Sequence, residues 1–176
     1  MRHTVLITIL CLLLPLQTKT VSANDMQIGL RGGCEKEKNN LHEHYAAAEL
    51  YILKEFPRKV SLGEQAALSG RFDLGATYLK GSDDRGGMLA AGGDLVLGLW
   101  QGHLEFEIGF RPTWMFRHTY GEDNFGGGLQ FTSHAGLAIS LHNLVLNYRL
   151  QHPSNAGLYQ DNPGLNLHMI GLGYRF

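Results

Sequence analysis

An alternation of apolar and polar residues with a period of two constrains this chain more than any other feature. The clearest example covers residues 103–116, where one set of alternate positions is almost entirely apolar and the other is mostly polar or glycine. Successive side chains of a β-strand point to opposite faces, so this pattern predicts a strand with two unlike faces. Residues 24–176 show little helical periodicity. The sequence therefore predicts an all-β fold.

Seven further segments alternate in the same way, and the first two do so less clearly. The eight predicted strands are residues 26–33, 45–54, 66–78, 89–99, 103–116, 130–141, 144–151 and 169–176. The 153 residues left after residue 23 (176 minus 23) provide about 19 residues for each strand and its turn. That length accommodates membrane-spanning strands of about 9 to 11 residues.

Alternation alone does not show which face lies inside a barrel, because a soluble barrel places its apolar face inward. The polar face of this chain is rich in glycine and small residues, which suits a narrow eight-stranded interior. The charges on that face balance, as buried ions require. They are Arg31, Arg71, Arg111, Arg149 and Arg175 against Glu49, Asp73, Asp94, Glu105 and Glu107.

Aromatic residues cluster near the predicted strand ends, where membrane proteins place their interfacial girdles. They are Trp114, Phe116, Tyr120, Tyr148, Tyr174 and Phe176. Together with the balanced polar face, this distribution predicts an eight-stranded antiparallel transmembrane β-barrel. The terminal Tyr174-Arg175-Phe176 also resembles the C-terminal signal of bacterial outer-membrane barrels.

Residues 1–23 have the layout of a secretory signal peptide. A basic start precedes a short apolar run, and Val21-Ser22-Ala23 is a small-x-small cleavage site. We therefore expect one domain over residues 24–176, in which Cys34 is the only cysteine and no intramolecular disulfide can form. The formal net charge of −1 lacks the basic excess of a nucleic-acid-binding protein, so no nucleic-acid partner is expected.

The chemically informative stretches are His152-Pro153-Ser154-Asn155-Ala156-Gly157 and Asn162-Pro163-Gly164-Leu165-Asn166. His152 and Ser154 are two residues apart on a strand, so both share the apolar, lipid-facing side. Asn166 has outward parity on the next strand. Unpaired polar groups facing hydrocarbon cost several kcal/mol, whereas a mutually hydrogen-bonded set costs less. Such a set supplies a hydroxyl nucleophile, a base and an orienting group.

These residues resemble the PagL type of outer-membrane lipid A 3-O-deacylases. The resemblance rests on His152, Ser154, Asn155, Ala156, Gly157 and Asn162 and on their position near the C-terminus. It implies that Ser154 is the nucleophile and His152 the general base. It also implies that Asn155, Asn162 and the amides near Ala156 and Gly157 position the site or bind the oxyanion. The implied substrate is the lipid A of lipopolysaccharide, which loses its 3-linked 3-hydroxyacyl chain.

One position departs from the family pattern, because Asn166 stands where a glutamate is expected to orient the histidine. An amide oxygen accepts a hydrogen bond from the imidazole but brings no negative charge. Asp161 and His168 are alternative partners for the ring. We expect an esterase without metal or cofactor, placed in the outer membrane among its lipids, and the sequence is compatible with a homodimer.

Three alternatives remain open at the level of sequence. The chain could be a non-catalytic barrel, serving adhesion or stability, with a degenerate site, an interpretation that Asn166 favours. It could be a soluble periplasmic lipid carrier with its apolar face inward. Locally, Ser154-Asn155 followed by Gly157 could simply end the seventh strand as a turn.

Overall fold

A computed structural model describes residues 26–35 and 41–176, so the predicted signal peptide lies outside the described residues. Eight antiparallel strands close into a barrel in which each strand pairs with its neighbours in sequence and the first pairs with the last. They are β1 (Met26–Glu35), β2 (Tyr45–Ser61), β3 (Ala66–Gly81), β4 (Asp84–Leu99), β5 (Leu104–Met115), β6 (Leu129–Leu141), β7 (Leu144–Ser154) and β8 (Leu167–Arg175). The predicted all-β, eight-stranded fold is confirmed.

The largest difference from the predicted boundaries is in β2, which continues to Ser61 instead of ending at Lys54. Residues 56–61 are exposed on both faces, so the alternation disappears there. The pairing with β3 continues after a register shift between Glu55 and Lys59, close to Pro57. Backbone pairing needs no alternation of side chains, and a pattern that reports burial therefore misses this extension.

The polar face lies inside the barrel and the apolar face lies outside, as predicted. Arg31, Arg71, Arg111 and Arg149 are at most 2% exposed, whereas Ile108 on the outer wall is 59% exposed. Arg175, at the end of β8, is half-buried. An apolar wall of this kind requires an apolar solvent, which is the arrangement of membrane barrels. The alternative of a soluble carrier with its apolar face inward is wrong.

The buried charges form one ion-pair network along the barrel axis. Arg149 Nε lies 2.6 Å from Glu107 Oε1, and its Nη1 lies 2.5 Å from Asp73 Oδ2. Further pairs join Arg111 to Asp73 and Glu49, Arg31 to Glu49, Arg71 to Asp94, Glu105 and Glu107, Arg149 to Asp94, and Arg175 to Glu105. His134 joins the network through Asp94, at 2.9 Å. Each buried ion thus has a partner of opposite charge, as a low-dielectric interior demands.

The two ends of the barrel differ. One carries the long β5–β6 and β7–β8 connections, and the other carries the Leu141–Leu144 turn and a single 3₁₀ turn at Trp100–Gly102. At the long-loop end an apolar plug fills the lumen. The plug consists of Leu41, Tyr45, Ala47, Leu79, Met88, Met115, Tyr120, Phe125, Leu165, Leu167 and Met169. Within residues 26–35 and 41–176, no helix has the length and apolar character to cross a membrane.

Candidate active site

The end of β7 presents two of the predicted site residues on the outer wall. Gln151 and Pro153 are buried inside the barrel, whereas His152 is exposed and Ser154 is half-buried. The strand alternation therefore carries His152 and Ser154 outward at the long-loop end. The two side chains lie one above the other on the apolar wall.

The β7–β8 loop returns to this point and brings Asn166 beside His152. The preceding residue, Leu165, is fully buried in the apolar plug, and its N–H donates to Pro153 O at 3.1 Å. Because Leu165 points inward, Asn166 points outward. The distance from His152 Nδ1 to Asn166 Oδ1 is 2.7 Å.

This contact determines the protonation pattern of the imidazole. An amide oxygen can only accept a hydrogen bond, so His152 Nδ1 must be the donor. In the neutral ring the proton therefore resides on Nδ1, and Nε2 keeps its lone pair. A lone pair on Nε2 is what a general base needs. Asn166 thus selects the tautomer without providing a charge.

Gly164 contacts the other side of the same ring. A Cβ at this position would lie 2.9 Å from His152 Cε1 and 3.4 Å from Nε2, and the residue has a φ of +66°. The close approach excludes a side chain at this position, and the left-handed backbone favours glycine. Our sequence analysis did not single out Gly164, although a glycine directly after a proline is a common turn signal.

The hydroxyl of Ser154 forms no hydrogen bond with the part of the chain that the structure describes, and neither does His152 Nε2. Catalytic hydrogen bonds are often long or absent before substrate binds, so this geometry is compatible with a serine–histidine pair. A second serine, Ser133 on β6, is exposed and is the direct register partner of His152. Sequence analysis overlooked Ser133, because only the strand register brings it to the site.

Asn155 is completely buried and organises the loop that follows Ser154. Its Nδ2 donates to Phe125 O at 3.0 Å and to Asp161 O at 2.6 Å, and its Oδ1 accepts from the Gly157 N–H at 2.9 Å. Its own N–H donates to Asn162 Oδ1 at 3.0 Å. Asn155 therefore positions the loop, and neither of its amide protons remains for a substrate.

Two donors of the predicted oxyanion set stay available. The Ala156 N–H and the Asn162 Nδ2 form no hydrogen bond with residues 26–35 or 41–176. Ala156 has a φ of +53° and Gly157 a φ of +80°, so the loop turns sharply just after Ser154. This turn directs the Ala156 N–H away from any regular strand pairing.

The alternative partners of His152 are engaged elsewhere. Asp161 accepts from Asn124 Nδ2 at 2.9 Å, and His168 Nδ1 lies 2.7 Å from the hydroxyl of Tyr148. Among the described residues, Asn166 is the one side chain that hydrogen-bonds to His152.

Within the same residues, Cys34 is a free thiol on the exposed surface.

Asp123 anchors the β5–β6 loop, which in turn contacts the site loop through Phe125. The carboxylate of Asp123 accepts from the N–H groups of His42 and Glu43 at 2.8 and 3.0 Å, and from the Tyr45 hydroxyl at 2.9 Å. Burial alone would raise the pKa of Asp123, but these hydrogen bonds outweigh it and hold the pKa below its usual value. The carboxylate thus ties the β5–β6 loop to the segment that leads into β2, two residues before Phe125, whose carbonyl oxygen accepts from Asn155.

Asp73, Asp94 and His134 form a buried group whose oxygen and nitrogen atoms could hold a metal ion. Both carboxylates already pair with guanidinium groups, because Asp73 contacts Arg111 and Arg149, and Asp94 contacts Arg71. The group lies in the lumen, on the other side of the wall from His152. We therefore assign it to the structural ion network and not to the candidate site.

Comparisons with known proteins bear on the family and the fold of this chain. The family model of lipid A 3-O-deacylase (PagL) matches residues 46–175. The crystal structure of the outer membrane enzyme PagL is 19% identical, with a TM-score of 0.74, and covers 85% of this chain and 99% of its own. The Yersinia pestis outer membrane protein Ail, in a phospholipid bilayer nanodisc, is 14% identical with a TM-score of 0.50, and covers 87% and 99%.

No curated protein sequence matches the chain significantly. The two structural similarities have low identity and therefore bear on the fold. The family model spans most of the chain, including both strands and the loop that carry His152, Ser154 and Asn166. The chain belongs to the lipid A 3-O-deacylase (PagL) family.

Proposed function

We propose that this protein is an outer-membrane esterase that removes the 3-linked 3-hydroxyacyl chain from the lipid A of lipopolysaccharide. The observation that carries the proposal is the 2.7 Å contact between His152 Nδ1 and Asn166 Oδ1 on the lipid-facing wall, next to Ser154. A polar group of this kind is costly against hydrocarbon, and catalysis accounts for its presence. Membership of the family supplies the substrate class.

The proposed reaction has two steps. His152 Nε2 takes the Ser154 proton as Oγ attacks the acyl carbonyl carbon, and the same imidazole then gives that proton to the departing sugar hydroxyl. The ester bond to the sugar breaks and an acyl-serine forms. Water, deprotonated by His152, then attacks the acyl-serine and releases a free 3-hydroxy fatty acid and the serine hydroxyl.

The Ala156 N–H and the Asn162 Nδ2 are our proposed donors to the oxyanion. Both donors are free in the described residues and both lie on the loop that begins at Ser154. A preorganised donor of this type stabilises developing negative charge by about 3 to 4 kcal/mol. Asn155 contributes indirectly, by holding the loop in place.

The place of the site on the barrel suits a lipid substrate of the outer leaflet. Bacterial outer-membrane barrels direct their longer loops outward, and His152 and Ser154 lie at the long-loop end. Because the side chains project from the wall, an acyl chain can reach them laterally without leaving the bilayer. The 3-linked ester lies near the polar boundary of that leaflet.

Mass spectrometry of lipid A tests this function directly. Purified wild-type protein, Ser154→Ala and Ser133→Ala are each incubated with lipopolysaccharide in detergent, and folding is checked by heat-modifiable gel mobility. We expect wild type and Ser133→Ala to remove one hydroxyacyl mass and Ser154→Ala to remove none. Activity in Ser154→Ala together with its loss in Ser133→Ala would instead make Ser133 the nucleophile.

The alternative is a non-catalytic barrel with a degenerate site. Asn166 favours it, because an amide in place of an orienting carboxylate cost about 10⁴ in rate in one serine protease. In that case the lipid A spectrum would be the same for the folded wild type and for both serine variants. A weak but Ser154-dependent activity would contradict the alternative.

A further inference from the structure

Two cations face each other on the outer wall, far from the candidate active site. Lys80 on β3 and Arg85 on β4 are register partners, and both are exposed. Directly opposed side chains on neighbouring strands have Cβ atoms about 5 Å apart, and like charges in this arrangement destabilise a sheet. A pair of this kind therefore favours an anion between its members.

The protein itself does not supply that anion within residues 26–35 and 41–176. Neither Lys80 nor Arg85 forms a salt bridge there. Asp84, in the adjoining turn, is engaged by Arg117 Nη1 at 2.9 Å and by the Gly121 N–H at 3.0 Å. Asp83 is exposed at the tip of the turn and leaves the two opposed cations with an excess of positive charge.

The position of the cations relative to the apolar wall indicates the kind of anion. Tyr78 on β3 and Gly87 on β4 form the next outward-facing register pair on the membrane side of these cations, and Leu89 follows on β4. Tyr78 and Leu89 are each 49% exposed, and Phe116 nearby is 63% exposed. Aromatic side chains of this type lie at the level of lipid headgroups. The cations thus lie at the boundary where lipid phosphates are found, with apolar surface on the membrane side.

We propose that Lys80 and Arg85 bind the phosphate group of an anionic lipid of the surrounding leaflet, whose acyl chains lie along Tyr78 and Leu89. Arginine and lysine both bind phosphate through charge-assisted hydrogen bonds. In the strand order, β3 and β4 lie across the barrel from β7 and β8, so this lipid is not the substrate bound for hydrolysis. The proposal rests on the membrane placement of the barrel and not on its enzymatic activity.

Native mass spectrometry of the detergent-purified barrel tests the proposal. The protein is titrated with dioleoylphosphatidylglycerol, dioleoylphosphatidylcholine or inorganic phosphate. We expect one phosphatidylglycerol to bind with roughly 30-fold preference over phosphatidylcholine, since two interfacial cations contribute. The double variant Lys80→Gln/Arg85→Gln should lose this preference, whereas Lys54→Gln, an exposed cation elsewhere on the outer wall, should keep it.

Lys80→Glu is a second variant, chosen so that a loss of binding is not caused by a loss of folding. A glutamate opposite Arg85 replaces repulsion by attraction, so this variant should stay folded while losing the preference for phosphatidylglycerol. Equal binding of the two lipids by wild type would overturn the proposal, as would a preference that survives in the double variant. If inorganic phosphate binds as strongly as phosphatidylglycerol, the assignment to a lipid would be overturned.

Discussion

The chemistry of the candidate site depends on one amide where a carboxylate is the usual partner of a catalytic histidine. Asn166 Oδ1 holds His152 Nδ1 at 2.7 Å and so orients the ring and fixes its tautomer. What the amide lacks is a charge to stabilise the imidazolium that the proposed reaction would form. A carboxylate would provide both the hydrogen-bond geometry and a negative charge, whereas Asn166 provides the geometry alone.

We therefore expect Asn166→Asp to raise activity. Aspartate has the same shape as asparagine, so the 2.7 Å contact can persist while a negative charge is added. The deacylation rate should increase by about tenfold or more, within the roughly 10⁴ range known for the reverse change in a protease. Rates of hydroxy fatty acid release measure this. Asn143→Asp, at the opposite end of the barrel, is the control, and an unchanged or lower rate in the folded Asn166→Asp protein would contradict the prediction.

The glycine behind the imidazole gives a second prediction at this scale. In Gly164→Ala the new methyl group would lie 2.9 Å from His152 Cε1, so the ring must move from its present position. Small displacements of this kind cost about 10² in rate. Gly63→Ala is the matched control, because Gly63 also has a positive φ but a Cβ there meets nothing within 4 Å. Both variants should remain folded, and only Gly164→Ala should lose activity.

At the scale of the elements, the site depends on loops that are fastened to each other from inside the barrel. Leu165 anchors the β7–β8 loop in the apolar plug, and Asn155 ties it to Phe125 of the β5–β6 loop. Tyr45, Tyr120 and Phe125 meet edge to face at ring-centroid distances of 5.6 to 6.2 Å. The outer-wall residues are thus held by packing on the inner side.

Asp123 makes this support sensitive to pH. Its pKa is depressed in the folded protein, whereas an unfolded aspartate titrates near about 3.9. A depressed folded pKa means that the stabilisation is complete above the unfolded value and is lost as the pH falls through the folded value. The difference in melting temperature between wild type and Asp123→Asn should therefore be largest near neutral pH and shrink below about pH 4. A difference that stays the same on acidification would show that the stabilisation by Asp123 does not depend on its charge.

At the scale of the whole molecule, the buried ion network holds the barrel together across its lumen. Arg149 is fully buried and contacts carboxylates on β3 and β5 from its place on β7. Removing one partner of a buried ion pair leaves the other charges uncompensated and costs about 3 to 5 kcal/mol. Each buried charge is therefore tolerated only while its partners are present.

Arg149→Met should accordingly lower the free energy of unfolding by about 3 to 5 kcal/mol, measured by urea titration in lipid vesicles. Arg117→Gln is the control, because the Arg117–Asp84 pair is exposed and contributes at most about 1 kcal/mol. Equal effects of the two substitutions would mean that the lumen is hydrated well enough to screen its charges.

The amino-acid order alone determined the period-two faces, and with them the number of strands, the polar lumen and the outward parity of His152 and Ser154. These features are local, because a strand alternates its side chains whatever its neighbours are. The sequence pattern did not predict the extension of β2 to Ser61, because a paired segment that buries neither face shows no alternation of apolar and polar residues. Parity could also place Asn166 outward, but could not show that it touches His152.

The tertiary structure decided everything that depends on distance between chain segments. Strand register brings Ser133 opposite His152 and Lys80 opposite Arg85, and a loop of 12 residues between Ser154 and Leu167 brings Gly164 and Asn166 to the imidazole. Register and loop return are set by the closing of the barrel and by the burial of Leu165, to which many distant residues contribute at once. A local pattern carries no record of such contacts, because they exist only when the whole chain has folded.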